Sequence, residues 1–321
     1  MNRHFKYLRY YANILRMRMS DKLFTRYQKN NYSPYFNKRR RYAGTIVHTS
    51  QESQDHIAQQ ILSKKPFMAA RFGSTELYTL EVYDWKIESK YTQAIEQFSR
   101  WSGFFPCEKS LMQQFVQLMK DTCNQVDTLA IWNMFMEAYY IKHQMKKEVY
   151  LTQLRFLEPW YAENPWTRAL KGKKVLVIHP FTESIQKQYE KREHLFPNKD
   201  ILPEFTLLTL KAVQTVAGEK DSRFETWFDA LDWMYREAMK IDFDIALIGC
   251  GAYGMPLAAK IKQSGKQAIH MAGVLQILFG IKGARWDDDP VVSKLYNEYW
   301  VRPSENEKPK QAKVVEGGCY W

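Results

Sequence analysis

Four short stretches of this 321-residue chain carry the residue types from which a site for an anionic ligand can be built. The first is Arg71-Phe72-Gly73-Ser74-Thr75-Glu76. Gly73 permits a tight turn, Arg71 can grip a phosphate through two parallel N–H bonds, and Glu76 offers a carboxylate for a base role or a metal. The same residues equally suit an ordinary strand-to-helix turn, with Ser74 as the cap and Glu76 in the first helical turn. The second stretch is His179-Pro180-Phe181-Thr182-Glu183-Ser184. Glu183 can act as a general base or bind a sugar hydroxyl, whereas His179 suits a buried, hydrogen-bonded place better than a catalytic one. The third is the G-x-G-x-x-G loop at Gly249, Gly251 and Gly254, with Tyr253 inside it and His270 ending the next strand. Backbone amides at such a loop and the dipole of the following helix favour a phosphate, although glycines there also serve simply to let helix and strand approach. The fourth is Arg285, a further phosphate contact, followed by Asp287-Asp288-Asp289-Pro290. Those aspartates can ligate Mg²⁺ or Mn²⁺, yet their run before proline fits a solvated turn better.

These stretches need strands to end where they begin. Apolar runs predict strands at Phe67 to Phe72, Thr128 to Trp132, Val175 to Ile178, Phe205 to Leu210, Ile245 to Ile248 and Gln267 to His270. Helical patterns fill Ser50 to Ser63, about 92 to 123, 134 to 156, and 224 to 240. This alternation predicts an α/β fold, a Rossmann-like, doubly wound, mainly parallel sheet with helices on both faces, whose ligands sit outside the carboxyl ends of the strands. A phosphorylated small molecule such as a nucleotide is the expected ligand. A plain NAD site is not expected, because the second strand of the glycine cassette ends in His270-Met271 rather than in an acidic residue.

Between Met1 and Arg41 twelve basic residues stand against Asp21 alone, while the rest of the chain carries 35 basic and 34 acidic residues. Tyr, Phe, Leu and Met interleave the basic residues, so residues 1–42 predict an arm that lies on an anionic membrane surface. A solvated or partner-packed helix and a nucleic-acid arm are the competing readings, and nucleic acid is not the expected partner. The resulting domain plan is an arm and linker at 1–44, an α/β body at 45–302 and a tail at 303–321 whose apolar end is expected to fold back. Four cysteines without metal spacing, no signal-peptide pattern and no apolar run long enough to span a bilayer predict a cytoplasmic protein, peripheral at the inner leaflet.

The R-F-G-x-x-E turn at Arg71 to Glu76 resembles the R-F-G-D-G-E turn of bacterial glycosyltransferases of the GT-D fold, and the cassette from Gly251 to Gly273 is similar in layout to that fold's later loop, helix and strand. The motifs F-G-I-K-G-A-R-W and E-G-G-C-Y-W resemble a group of proteins from capsule and O-antigen gene clusters, over roughly Lys64 to Trp321. The resemblance implies a nucleotide-sugar donor, a glycan or lipid-linked acceptor, and a site holding Arg71, Gly73 and Glu76 beside Gly249, Gly251, Tyr253 and Gly254. It also implies a possible Mg²⁺ or Mn²⁺ at an Asp-x-Glu pair, of which this chain keeps only Glu76, since Ser74 stands at the other position. His270 likewise stands where that fold's A-I-D strand has its aspartate. Another nucleotide-dependent transferase (methyl or pyruvyl) and a non-catalytic nucleotide-binding or membrane scaffold are the alternatives.

Overall fold

The computed structural model describes residues 38–219, 221–310, 312 and 317–321, together with positions 8, 12 and 15. The membrane-facing arm predicted over residues 1–42 lies almost entirely outside the described residues.

Among the described residues nine strands form one sheet: β1 (Arg40–Tyr42), β2 (Thr45–Val47), β3 (Phe67–Ala70), β4 (Thr128–Ile131), β5 (Tyr150–Gln153), β6 (Lys174–His179), β7 (Thr206–Lys211), β8 (Ile245–Ile248) and β9 (Gln267–His270). Their order is β1-β2-β5-β4-β3-β9-β8-β6-β7. Every neighbouring pair is parallel except the β1–β2 hairpin, which Ala43 and Gly44 close with left-handed backbone. Residues 40–42, predicted as the end of a linker, therefore belong to the sheet, and the body begins before residue 45.

Among the described residues from 38 onward, ten α-helices accompany the strands: α1 (Ser50–Ser63), α2 (Ser74–Asp84), α3 (Tyr91–Ser102), α4 (Lys109–Cys123), α5 (Glu137–Gln144), α6 (Thr182–Tyr189), α7 (Arg192–Leu195), α8 (Trp227–Met239), α9 (Gly254–Gln263) and α10 (Leu275–Leu278). They cover both faces, and the central strands show it by alternation. Phe67 and Ala69 of β3 join the core under α1 and α6, while Met68 and Ala70 join the core under α2, α4, α8 and α9. Ile245 and Leu247 of β8 follow the first pair, Ala246 and Ile248 the second. A strand buried on both faces reads as an unbroken apolar run, which is why these two were legible.

Three predicted segments differ. The region 92–123 is two helices, because Gly103 takes a left-handed φ of 71° as the C-cap of α3 and Pro106 follows it. The region 134–156 holds the short α5, after which Met145 turns extended and β5 runs beside β4 into a 3-10 turn at Leu154–Phe156. The long helix expected from residue 224 begins at Trp227, where Thr226 and Asp229 form a capping box.

The chain winds outward from β3 through β4 to β5, then restarts on the far side of the sheet at β6 and returns through β8 to β9. A reversal of this kind opens a crevice at the carboxyl ends of the strands on either side of it.

Candidate functional site

Along that edge lies a cavity of about 360 Å³, lined by residues that follow β3, β4, β6, β7, β8 and β9 and by the segment 317–321. Its charged lining is Arg71, Glu76 and Arg285.

Arg71 leaves the end of β3 and is fixed from two sides. Its Nε donates to Phe72 O at 3.0 Å, and its guanidinium stacks 4.5 Å from the Trp132 ring centroid. Trp132 Nε1 donates to the same carbonyl at 3.1 Å. The two terminal nitrogens have no protein partner among the described residues, so the fork is pre-set with its donors open. Burial, and then the Arg285 charge, pull the guanidinium below its ordinary value, and both effects are relieved by an incoming anion.

Gly73 is the N-cap of α2, with no side chain capping the helix. The expected Ser74 cap is therefore absent, and the helix start, through Gly73, Ser74, Thr75 and Glu76, borders the cavity instead. Glu76 curls back over Gly73 so closely that a Cβ there would lie 1.8 Å from Oε2. Burial raises the Glu76 pKa above the ordinary carboxylate value, the direction that makes the carboxylate a stronger proton acceptor. Gly73→Ala is accordingly expected to push the Glu76 carboxylate away from the start of α2, which a crystal structure of the variant would show; a carboxylate left in its present place would remove the positional role given to Gly73.

The glycine loop divides in two. Gly251, at φ 59°, has open space where a Cβ would go and borders the cavity. Gly249 and Gly254 instead make room for rings: a Cβ would come within 2.6 Å of His179 Cδ2 and within 2.1 Å of His270 Nδ1. Gly254 lies behind the lining and is corrected from a binding to a packing role. Tyr253 is a wall residue, stacked 4.6 Å from Trp227 and sharing a hydroxyl contact with Thr215 at 3.2 Å.

His179 Nδ1 accepts from the Phe181 N–H at 3.0 Å, so the proton sits on Nε2. Burial lowers both His179 and His270 to about 3, so both stay neutral, and His270 Nδ1 has no partner among the described residues. Glu183, expected as a base or a sugar contact, does not reach the cavity. It is exposed, lies outside the lining, and accepts from Asn306 Nδ2 at 2.8 Å. The start of α6 is closed as well, because Glu307 accepts from the Glu183 and Ser184 N–H groups at 2.8 and 3.3 Å. The aspartate run is turn chemistry: Asp289 accepts from the Val291 and Val292 N–H groups, and Asp287 pairs with Arg302.

Several lining residues had no individual signal in the sequence. Trp101 on α3 stands at the cavity with 38% of its surface exposed, a large apolar face left open to a ligand. Tyr320 receives the Arg285 Nη1 donor at 3.2 Å and carries the guanidinium 4.8 Å from its ring centroid. Tyr320 sits against Gly273, and Gln276 donates to its carbonyl at 3.1 Å. Glu137, wholly buried, accepts from the Trp132 and Asn133 N–H groups and so holds the loop that carries Trp132 and Met134 to the cavity.

The family model for the GT-D fold-like domain matches residues 48–278, the span that supplies Arg71, Glu76, His179, the glycine loop and His270. The chain belongs to that GT-D-like family. Among solved structures, a selenomethionine-substituted domain of unknown function 1792 (DUF1792) is similar at 12% identity and a TM-score of 0.40, across 81% of this chain and 96% of that one. A search of curated proteins gave no match. No helix among the described residues is long and apolar enough to cross a membrane.

Around this GT-D-like cavity two more carboxyl groups are raised by burial to about 7, Glu137 and Glu158. The Glu158 carboxylate, near Arg155 and Arg71, has no hydrogen bond among the described residues. Its folded pKa lies above its unfolded one, so its contribution to stability is full below about pH 4.5 and is lost as pH rises through 7. Glu158→Gln is therefore expected to stabilise the fold at pH 8 by about 1–3 kcal/mol, with the gain vanishing near pH 4.5. Urea unfolding at both values checks this, and a gain as large at pH 4.5 as at pH 8 contradicts it. The neutral histidines act in the opposite sense. Their pKa values are lowered, so their contribution is full above about 6.5 and falls as the medium is acidified, by about 1.4 kcal/mol per pH unit each.

Proposed function

We propose that this chain is a glycosyltransferase that moves a sugar from a nucleotide-sugar donor to a lipid-linked or oligosaccharide acceptor in bacterial surface polysaccharide assembly. The convergence of Arg71, the uncapped start of α2, Glu76 and Arg285 on one cavity of a GT-D-like fold carries this proposal. The diphosphate of the donor would lie between the two guanidiniums and against the α2 amides, where negative charge grows as the bond to the sugar breaks. That step breaks the bond from the anomeric carbon to the diphosphate and forms one to the acceptor oxygen. Glu76 takes the acceptor's hydroxyl proton. Trp101 offers a flat apolar face on which an acceptor sugar ring can lie.

The capsule and O-antigen setting rests on the F-G-I-K-G-A-R-W and E-G-G-C-Y-W motifs, and the inner-leaflet placement on the basic, aromatic composition of residues 1–42. Thermal unfolding against a panel of nucleotide sugars, with S-adenosylmethionine, phosphoenolpyruvate and NAD included, tests the class. A UDP or GDP sugar at a hundredfold excess over Kd is expected to raise Tm by about 5 °C. Stabilisation by S-adenosylmethionine or phosphoenolpyruvate alone would assign a methyl or pyruvyl transferase. No shift with any member would leave the non-catalytic scaffold.

A further inference from the structure

The donor set of the cavity does not suit a divalent metal. Mg²⁺ and Mn²⁺ prefer several oxygen ligands, commonly carboxylates joined by phosphate oxygens. Here the lining supplies a single carboxylate, Glu76, folded back over Gly73. No group of three or more His, Cys, Asp or Glu side chains among the described residues is arranged to hold a metal ion. His179 uses Nδ1 to accept from the Phe181 N–H, and His270 is wedged against Gly254. A cation seated on Glu76 would also share the cavity with two guanidiniums and be repelled by both.

The same two guanidiniums match the ligand's charge. A nucleotide sugar carries two negative charges on its diphosphate, and Arg71 and Arg285 bring two positive ones from positions more than two hundred residues apart. Each is held by an aromatic ring, Arg71 by Trp132 and Arg285 by Tyr320. Tyr320 is in turn seated on Gly273, where a Cβ would come within 2.1 Å of its ring, and through its carbonyl on Gln276. Both charged groups are therefore in place before the ligand arrives, as electrostatic stabilisation of a leaving group requires.

We propose that the cavity binds the donor's diphosphate without a divalent cation, with Arg71 and Arg285 in the place a metal would take and Tyr320 as the positioning residue for Arg285. This rests on the nucleotide-sugar reading above. The test is calorimetric titration of UDP and of GDP into the full chain, once with EDTA and once with Mn²⁺ or Mg²⁺. The dissociation constant of whichever nucleotide binds is expected to agree within threefold between the two media. Arg285→Gln is expected to weaken it at least tenfold in EDTA, and Tyr320→Phe, which keeps the ring and removes the hydroxyl, by less than Tyr320→Ala. Binding seen only with the metal, or more than tenfold tighter with it, overturns the proposal. So does an Arg285→Gln variant that binds as tightly as the parent chain. Absence of binding in both media overturns the nucleotide reading itself, and this inference with it.

Discussion

Arg71→Ala is expected to weaken nucleoside-diphosphate binding by about 100-fold, the largest loss of affinity for any single change in the cavity. A charge-assisted, two-pronged contact from a pre-oriented guanidinium is worth about 2–4 kcal/mol when truncated inside a partly desolvated pocket, and a factor of 100 needs about 2.7. The fork is held by Phe72 O and the Trp132 ring before any ligand binds, so little side-chain freedom is lost on binding. Arg71→Lys is expected to recover less than a tenth of the loss, because an ammonium neither stacks flat on Trp132 nor presents two parallel donors. The fold should tolerate both changes. Removing a half-buried cation that lacks an ion-pair partner among the described residues lifts a desolvation cost but also withdraws a positive charge from near Glu76, Glu137 and Glu158, so Tm should change little. A large fall in Tm together with the loss of binding would instead mark Arg71 as a structural residue.

Glu76→Gln is expected to lower turnover by about 100- to 1,000-fold with nucleotide affinity unchanged or slightly improved. Loss of a positioned base removes a factor of about 100 to 10,000. The amide keeps the shape that fits over Gly73 but cannot accept the acceptor's proton, and it takes one negative charge away from the neighbourhood of the diphosphate. In the parent chain the rate should rise with pH to a plateau, with a midpoint above that of an ordinary carboxylate, because burial raises the Glu76 pKa. The variant should lose that rise. Unchanged turnover, or a pH profile that survives the substitution, would transfer the base role to another group.

Much of the sheet could be read from residue order alone. β3 and β8 are short apolar runs buried on both faces, and β9 is a buried strand set off by Gly265; their carboxyl ends coincide with Arg71, Gly249 and His270. β5 was not legible: Tyr150 to Gln153 is four residues long and follows α5 without a glycine or proline to mark the change. The break at Gly103 and Pro106 did carry its signal, but a helical pattern on both sides concealed it.

Within the site, residues at strand ends were recoverable because the topology alone places them together. Roles decided by contacts distant in sequence were not. Glu183 looked available until Glu307 and Asn306, 124 and 123 positions away, were seen to occupy the start of α6. Gly254 looked like part of a phosphate loop until the His270 ring filled the space beside it. Trp101 reaches the cavity from a helix surface and Tyr320 from the tail, where the E-G-G-C-Y-W motif marks the segment but not which ring enters the cavity.

A crystal structure of the chain with a bound UDP or GDP sugar tests the shared cavity most directly. The diphosphate is expected between the Arg71 and Arg285 guanidiniums at the start of α2, with the Glu76 carboxylate on the side of the sugar's anomeric carbon. A nucleotide seated elsewhere on the molecule, with Arg71 and Arg285 untouched, would contradict the account.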